Sequence, residues 1–171
     1  EVEYSVNKKE YLPREFPKHS VTGTFSYDVM APTDKIMKTV KDNVFTSFKT
    51  TTVDQMMYVR NVALKYERET EFGFKTTVEL KNTNDEPTGK LVYMRNDAAR
   101  TIVPDITTTE ASLSLRYAPG ETFINTKQRR IPVSFDAPVF TLSHTVGFKG
   151  VLGGDYNYNL TELGIYKRFW F

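Results

Sequence analysis

Side chains able to carry chemistry are few in this chain, and their spacing argues against most of it. Asp155, Asn157 and Asn159 set oxygen ligands at alternate positions, as the start of a calcium loop does. An EF-hand then needs glycine next and glutamate seven residues after Asn159, where this chain has Leu160 and Tyr166. The run therefore reads as a polar strand face or a turn. His19 and His144 are the two histidines. His144 lies between Ser143 and Thr145, but neighbours along a strand face opposite ways, so no Ser–His pair follows. No nucleophile-elbow motif or HExxH helix accompanies it. Arg129 and Arg130, beside Lys127, would suit an anionic headgroup or a glycan, although a solvated loop explains them as well. Glu67, Glu69 and Glu71 share one side of an extended segment and are placed to pair with Lys75 or Lys81 across a hairpin, which is charge balance rather than acid–base catalysis. We assign no catalytic residue, cofactor site or metal site, and expect a non-enzymatic chain.

The elements that hold these residues are strands. Tyr (10) and Phe (12) are abundant in the 171 residues, and with Val and Thr they favour strands over helices. The chain has no cysteine, which excludes disulfides, thiolate metal sites and cysteine nucleophiles. A net charge of +2, scattered along the chain, lacks the basic stripe that nucleic acid needs. No apolar run is long enough for a membrane-spanning helix. The acidic opening Glu1-Val2-Glu3 is not a secretion signal, so we expect a cytosolic protein or an internal or processed piece.

Residues 1–20, with Pro13 and Pro17, read as an irregular lead-in to a single β domain over 1–171. An alternating run spans Val21 to Val29. Pro32-Thr33-Asp34 could cap a helix, but the strand formers Val44 to Phe48 favour a strand at Asn43–Lys49. Val62, Leu64 and Tyr66 alternate with polar residues, as do Phe72, Phe74, Val78 and Leu80. Asn82 to Gly89 is dense in turn formers and predicts a hairpin loop, after which Leu91 and Tyr93 resume. Ala111, Leu113, Leu115 and Tyr117 form the next face, closed by a type II turn at Ala118-Pro119-Gly120-Glu121. Phe140, Leu142, Val146 and Phe148 follow, with His144 as the polar member of that face. In the last strand, Tyr156 to Phe171, the apolar phase slips near Glu162, which predicts a β-bulge. The sum is an all-β, antiparallel up-and-down meander of about eight strands.

Alternation puts one face of each strand in an apolar medium and the other in a polar one. A soluble β-sandwich binding glycan or peptide satisfies this, and so does an outer-membrane β-barrel with lipid outside and a polar lumen. A hydrolase built around His144 is a third and weaker option. Strand lengths, aromatics near strand ends (Tyr66, Phe72, Tyr117, Tyr156, Tyr158, and Phe169-Trp170-Phe171) and a polar face mixing Ser, Thr, Gly and both charges lean towards the barrel.

The run from Asp136 through His144-Thr145-Val146-Gly147-Phe148-Lys149-Gly150 and Gly153-Gly154-Asp155-Tyr156 to Lys167-Arg168-Phe169-Trp170-Phe171 resembles a family of Bacteroidetes outer-membrane proteins of unknown function. Asp42-Asn43-Val44-Phe45, Gln55-Met56-Met57-Tyr58, Pro87-Thr88-Gly89-Lys90-Leu91 and Leu115 to Glu121 fit the same family. In it a carboxypeptidase-regulatory-like domain precedes a β-barrel domain, and residues 42–171 resemble part of that barrel. The resemblance implies a bacterial outer-membrane location and a piece of a longer chain. It implies as partners outer-membrane lipid and the rest of its own chain or other outer-membrane proteins. It supplies no activity to carry over.

Overall fold

The computed structural model describes residues 1–6, 17–32, 55–96, 98–121, 123–125, 130–132 and 137–168. The expected helix cap or strand at 33–49, the side chains of Lys127, Arg129 and Arg130, and the terminal Phe169-Trp170-Phe171 lie outside what is described.

Seven strands form one antiparallel sheet: β1 (Val2–Ser5), β2 (His19–Met30), β3 (Gln55–Glu69), β4 (Phe74–Gly89), β7 (Ile106–Tyr117), β10 (Val139–Gly147) and β11 (Tyr158–Tyr166). They lie side by side in chain order, so the sheet is an up-and-down meander whose edges, β1 and β11, have no further partner among the described residues. Two small hairpins are set into its connections: β5 (Tyr93–Met94) with β6 (Ile102–Val103), and β8 (Phe123–Asn125) with β9 (Arg130–Pro132). The type II turn is present: Gly120 has φ of 72°, which its missing Cβ permits, and the Glu121 N–H donates to the Ala118 carbonyl.

Three expectations need correction. The lead-in is not wholly irregular, because Val2–Ser5 pairs with Ser20–Gly23 as edge strand β1. The turn formers Asn82–Gly89 do not make a loop; β4 runs straight through them, paired with Gln55–Val62. Their polar side chains bond across the ladder instead of back to their own backbone: Asn82 Nδ2 donates to Thr109 Oγ1 (2.9 Å), Asn84 Nδ2 to Thr107 Oγ1 (2.9 Å), and Thr83 Oγ1 to Asn61 Oδ1 (3.3 Å). Pro87 is tolerated because the β4–β7 ladder stops at Asp85, so its missing N–H faces an edge. The bulge near Glu162 is absent, since β10 and β11 stay in unbroken register from Val139↔Tyr166 to Gly147↔Tyr158. The phase slip arises because Tyr158 and Leu160 sit on the polar face of an otherwise regular strand.

Candidate functional site

The register sorts every strand residue onto one of two faces. One carries Phe25 and Val29 of β2, Val62 and Leu64 of β3, Phe74, Val78 and Leu80 of β4, Leu113 and Leu115 of β7, Phe140 and Leu142 of β10, and Leu163 and Ile165 of β11. The other carries Ser20, Thr22, Lys65, Glu67, Lys75, Glu79, Thr83, Asp85, Glu110, Ser112, Ser114, Arg116 and Ser143. Burial is inverted relative to polarity. Phe25 (66%), Leu80 (53%) and Leu64 (52%) are exposed, while Ser20 (0%), Thr22 (3%) and Glu67 (6%) are shielded. Among the described residues no second layer covers the apolar face.

The apolar run also drifts diagonally across the sheet. On β2 it is centred near Phe25, whose row passes through Val62, Asn82 and Thr109 to Phe148. On β10 it is centred near Ser143, about five residues lower, or about 17 Å along the strand. Four strand steps of about 4.8 Å separate β2 from β10, so the strands lean by about 40° from the normal of a level apolar slab. Rings lie towards both ends of the slab. Phe74, Tyr117 and Phe140 form one rung across three strands, with centroids 6.4 and 6.5 Å apart, and Tyr27 stacks on Tyr58 at 5.7 Å. On β3, Arg68 and Arg60 bracket the run; they are about 26 Å apart along the strand and about 20 Å apart along an axis tilted by 40°.

The polar face is organised around Glu67. Its carboxylate meets Lys18 and Lys75 at 2.9 Å and Lys65 at 3.5 Å; Lys18 also reaches Glu3 at 2.9 Å, and Lys75 reaches Glu69 at 3.8 Å. The expected Glu67–Lys75 and Glu69–Lys75 pairs are present. Lys81 lies further along β4, opposite Ala63, and Glu71 falls in the turn before Gly73. Lys18 and Glu3 escaped the sequence reading because they belong to the lead-in. Arg116 donates from both terminal guanidinium nitrogens, Nη1 and Nη2, to the Glu121 carboxylate, at 2.6 and 2.8 Å, which ties the turn to β7. Tyr158 lies over Gly147, where a Cβ would come within 2.3 Å of the ring, and its hydroxyl reaches Glu110 on the next strand. At the other end of this face, hairpin β5–β6 closes over Met57, with the Tyr93 hydroxyl 3.2 Å from its Sδ. Burial, and then the nearby Asp85 carboxylate, pushes the Tyr93 hydroxyl above its usual range.

Among the described residues the chemical candidates do not come together. His144 Nδ1 lies 2.8 Å from Thr161 Oγ1 on the apolar face, whereas Ser143 bonds Ser114 on the opposite face at 3.0 Å. His19 stacks edge-on against Tyr66, whose hydroxyl is 3.0 Å from Nε2. Asp155 Oδ2 and Asn157 Oδ1 accept backbone N–H groups from Thr107 and Lys149, which fixes the β10–β11 loop and accounts for the calcium-like spacing. Among the described residues no three His, Asp or Glu converge as metal ligands. That loop also lies over the apolar face: the Val151 and Leu152 carbonyls accept from Thr109 and Asn82. Between it and Phe25, Val62 and Leu64 is a groove of about 700 Å³ that opens above Gly23. No helix among the described residues is long and apolar enough to cross a membrane, which says nothing about strands.

Residues 27–171 match the family described as "Family of unknown function (DUF5686) C-terminal domain", and the chain belongs to that family. No curated protein and no solved structure matches it.

Proposed function

Starting from membership of that family, we propose that this chain is a non-enzymatic wall segment of a bacterial outer-membrane β-barrel. Its apolar face meets lipid and its polar face lines the interior. The observation that carries the reading is the diagonal apolar band. A bilayer is level while barrel strands tilt by about 35–45°, and the drift across four strand steps corresponds to about 40°. The band's height of about 20 Å is close to the roughly 25 Å of such barrels, with Arg60 and Arg68 placed to reach the headgroups at its two rims. β2, β3, β4 and β7, at 12 to 16 residues, exceed the roughly 9–11 that a tilted spanning strand needs. A soluble sandwich would need a second sheet over Leu64, Leu80 and Phe25, and the described residues place none there. The finer reading follows the resemblance. The cell is of the Bacteroidetes type, a carboxypeptidase-regulatory-like domain precedes the barrel, and the partners are lipid and the rest of the chain or other outer-membrane proteins.

Membrane fractionation tests this. The protein is expected in the outer-membrane pellet after alkaline carbonate washing, and to need detergent once purified. A monodisperse, detergent-free monomer with a cooperative melt would sink the reading.

A further inference from the structure

Gly23, in the middle of β2, lacks both of the reasons that account for the other glycines. The other eight of the nine either have a positive φ or would drive a Cβ into a neighbouring atom. Gly23 has no positive φ, and nothing lies within 4 Å of where its Cβ would be. A glycine inside a strand gives up a side chain that would pack, and marks a place where something else comes close. The register puts Gly23 on the apolar face, in a row with Val2, Leu64 and Leu80. There it forms the floor of the groove of about 700 Å³.

The groove has fixed walls. It runs from Val2 on β1, across Gly23, Leu64 and Leu80, to Leu152 in the β10–β11 loop. That loop is pinned over β4 and β7, where Asn82 Nδ2 donates to the Leu152 carbonyl at 3.2 Å and Thr109 Oγ1 to the Val151 carbonyl at 2.8 Å. Three strand steps of about 4.8 Å separate β1 from β4, and Asn82 lies two residues beyond the row of Val2, so the groove is about 16 Å long. It leans the same way as the normal of the level apolar slab and departs from it by about 25°, with both ends inside the slab's height of about 20 Å. That is the direction in which lipid tails lie.

The lining also limits the occupant. The strand backbones beneath it are paired in their ladders, and Asn82 and Thr109 bond each other at 2.9 Å as well as the loop carbonyls. A peptide would bring a row of N–H and C=O groups to a wall whose own are already paired, whereas an acyl chain brings none. We propose that this groove is a lipid site, holding one acyl chain of a bilayer phospholipid over Gly23, between the β10–β11 loop and Phe25. Left empty, the groove would forfeit dispersion contacts along its lining, and an ordered chain restores them. The site depends on the membrane reading and goes beyond it, since a lipid-facing surface needs no groove.

Full-length protein in phosphatidylethanolamine and phosphatidylglycerol vesicles, doped with a phosphatidylcholine bearing a diazirine near one acyl terminus, tests this. Adducts are mapped by mass spectrometry. Leu163 and Ile165, 76% and 68% exposed on the same face, report ordinary lipid contact. Phe25, Leu64 and Leu152, comparably exposed, are expected to take about five times more label, the effect of roughly ten added carbon contacts. Gly23→Leu fills the floor and is expected to abolish that excess with Leu163 and Ile165 unchanged, because the open space over Gly23 admits a side chain without strain. Gly23→Ala adds one carbon and should remove less of it. Equal labelling of the two patches in the wild type, or an excess that survives Gly23→Leu, would overturn the site. A groove left unlabelled beside a labelled Leu163 and Ile165 would overturn it too, and would point to a peptide segment as the occupant. No label on either patch, with release by carbonate, would overturn the membrane reading itself.

Discussion

On one face of this sheet the side chains with the most to lose from water, Leu64, Leu80 and Phe25, are at least half exposed. On the other, Ser20, Thr22, Thr83 and Glu67 are shielded from it. A large apolar side chain left in water forgoes about 1.5–3 kcal/mol, so a soluble fold with this many would be giving up most of its stability. The faces also cohere differently. The apolar face is held by contacts that any oily medium could replace. The polar face is held by specific partners: Glu67 with three lysines, Arg116 with Glu121, and Tyr158 with Glu110. On the proposed membrane reading one face is generic because its solvent is fluid, and the other is specific because it must satisfy itself.

The contrast is broken most severely by charging the generic face. Leu113→Arg and Leu142→Arg are each expected to cost about 2–4 kcal/mol in a lipid-folded urea titration. Ser114→Arg or Ser143→Arg, on the polar face, should cost less than about 1 kcal/mol. Equal costs on both faces would remove the distinction. Next comes the hub of the polar face. Glu67→Gln takes away the carboxylate that Lys18 and Lys75 share, leaving them Glu3 and Glu69, and is expected to cost about 2 kcal/mol, less than a fully buried pair because both lysines keep a second carboxylate and contact with water. A midpoint unchanged from wild type would show that the cluster is ornamental. Gly73→Ala tests the tight end of β3–β4: with φ of 77° and a new Cβ 2.1 Å from the Ala118 carbonyl, about 1–3 kcal/mol is expected in the same titration. Tyr158→Phe keeps the ring over Gly147 but loses Glu110, for about 1 kcal/mol. Smallest of all, His144→Leu on the apolar face should stay within about 0.5 kcal/mol, its Thr161 contact offset by a more apolar surface.

The faces were legible in the sequence because alternation is local: Leu113, Leu115 and Tyr117 name their side without help from any other strand. What was hidden depends on partners far along the chain. Asn82 to Asp85 look like a loop until Asn61, Thr107 and Thr109 arrive to bond them. Lys18 and Glu3 look like solvated charge until β3 brings Glu67. The slip at Glu162 looks like a bulge because Tyr158, an aromatic on the polar face, is explained only by Gly147 opposite and Glu110 beyond it. That Ser143 and His144 take opposite faces was legible too, because alternation along a strand is local.

The asparagine and threonine rungs also act as a gauge of position. A strand sliding past its neighbour by one residue turns its leucines inward, and alternation rejects it at once. A slide of two residues keeps every leucine on the apolar face, and hydrophobicity cannot tell it from the native alignment. Thr83 against Asn61 can: a slide of two either way sets Thr83 opposite Val59 or Ala63, and on β7 a slide one way sets Asn82 opposite Ala111, at about 1 kcal/mol for each bond lost. Hydrophobicity thus sets parity, and the polar rungs choose one alignment among those of equal parity.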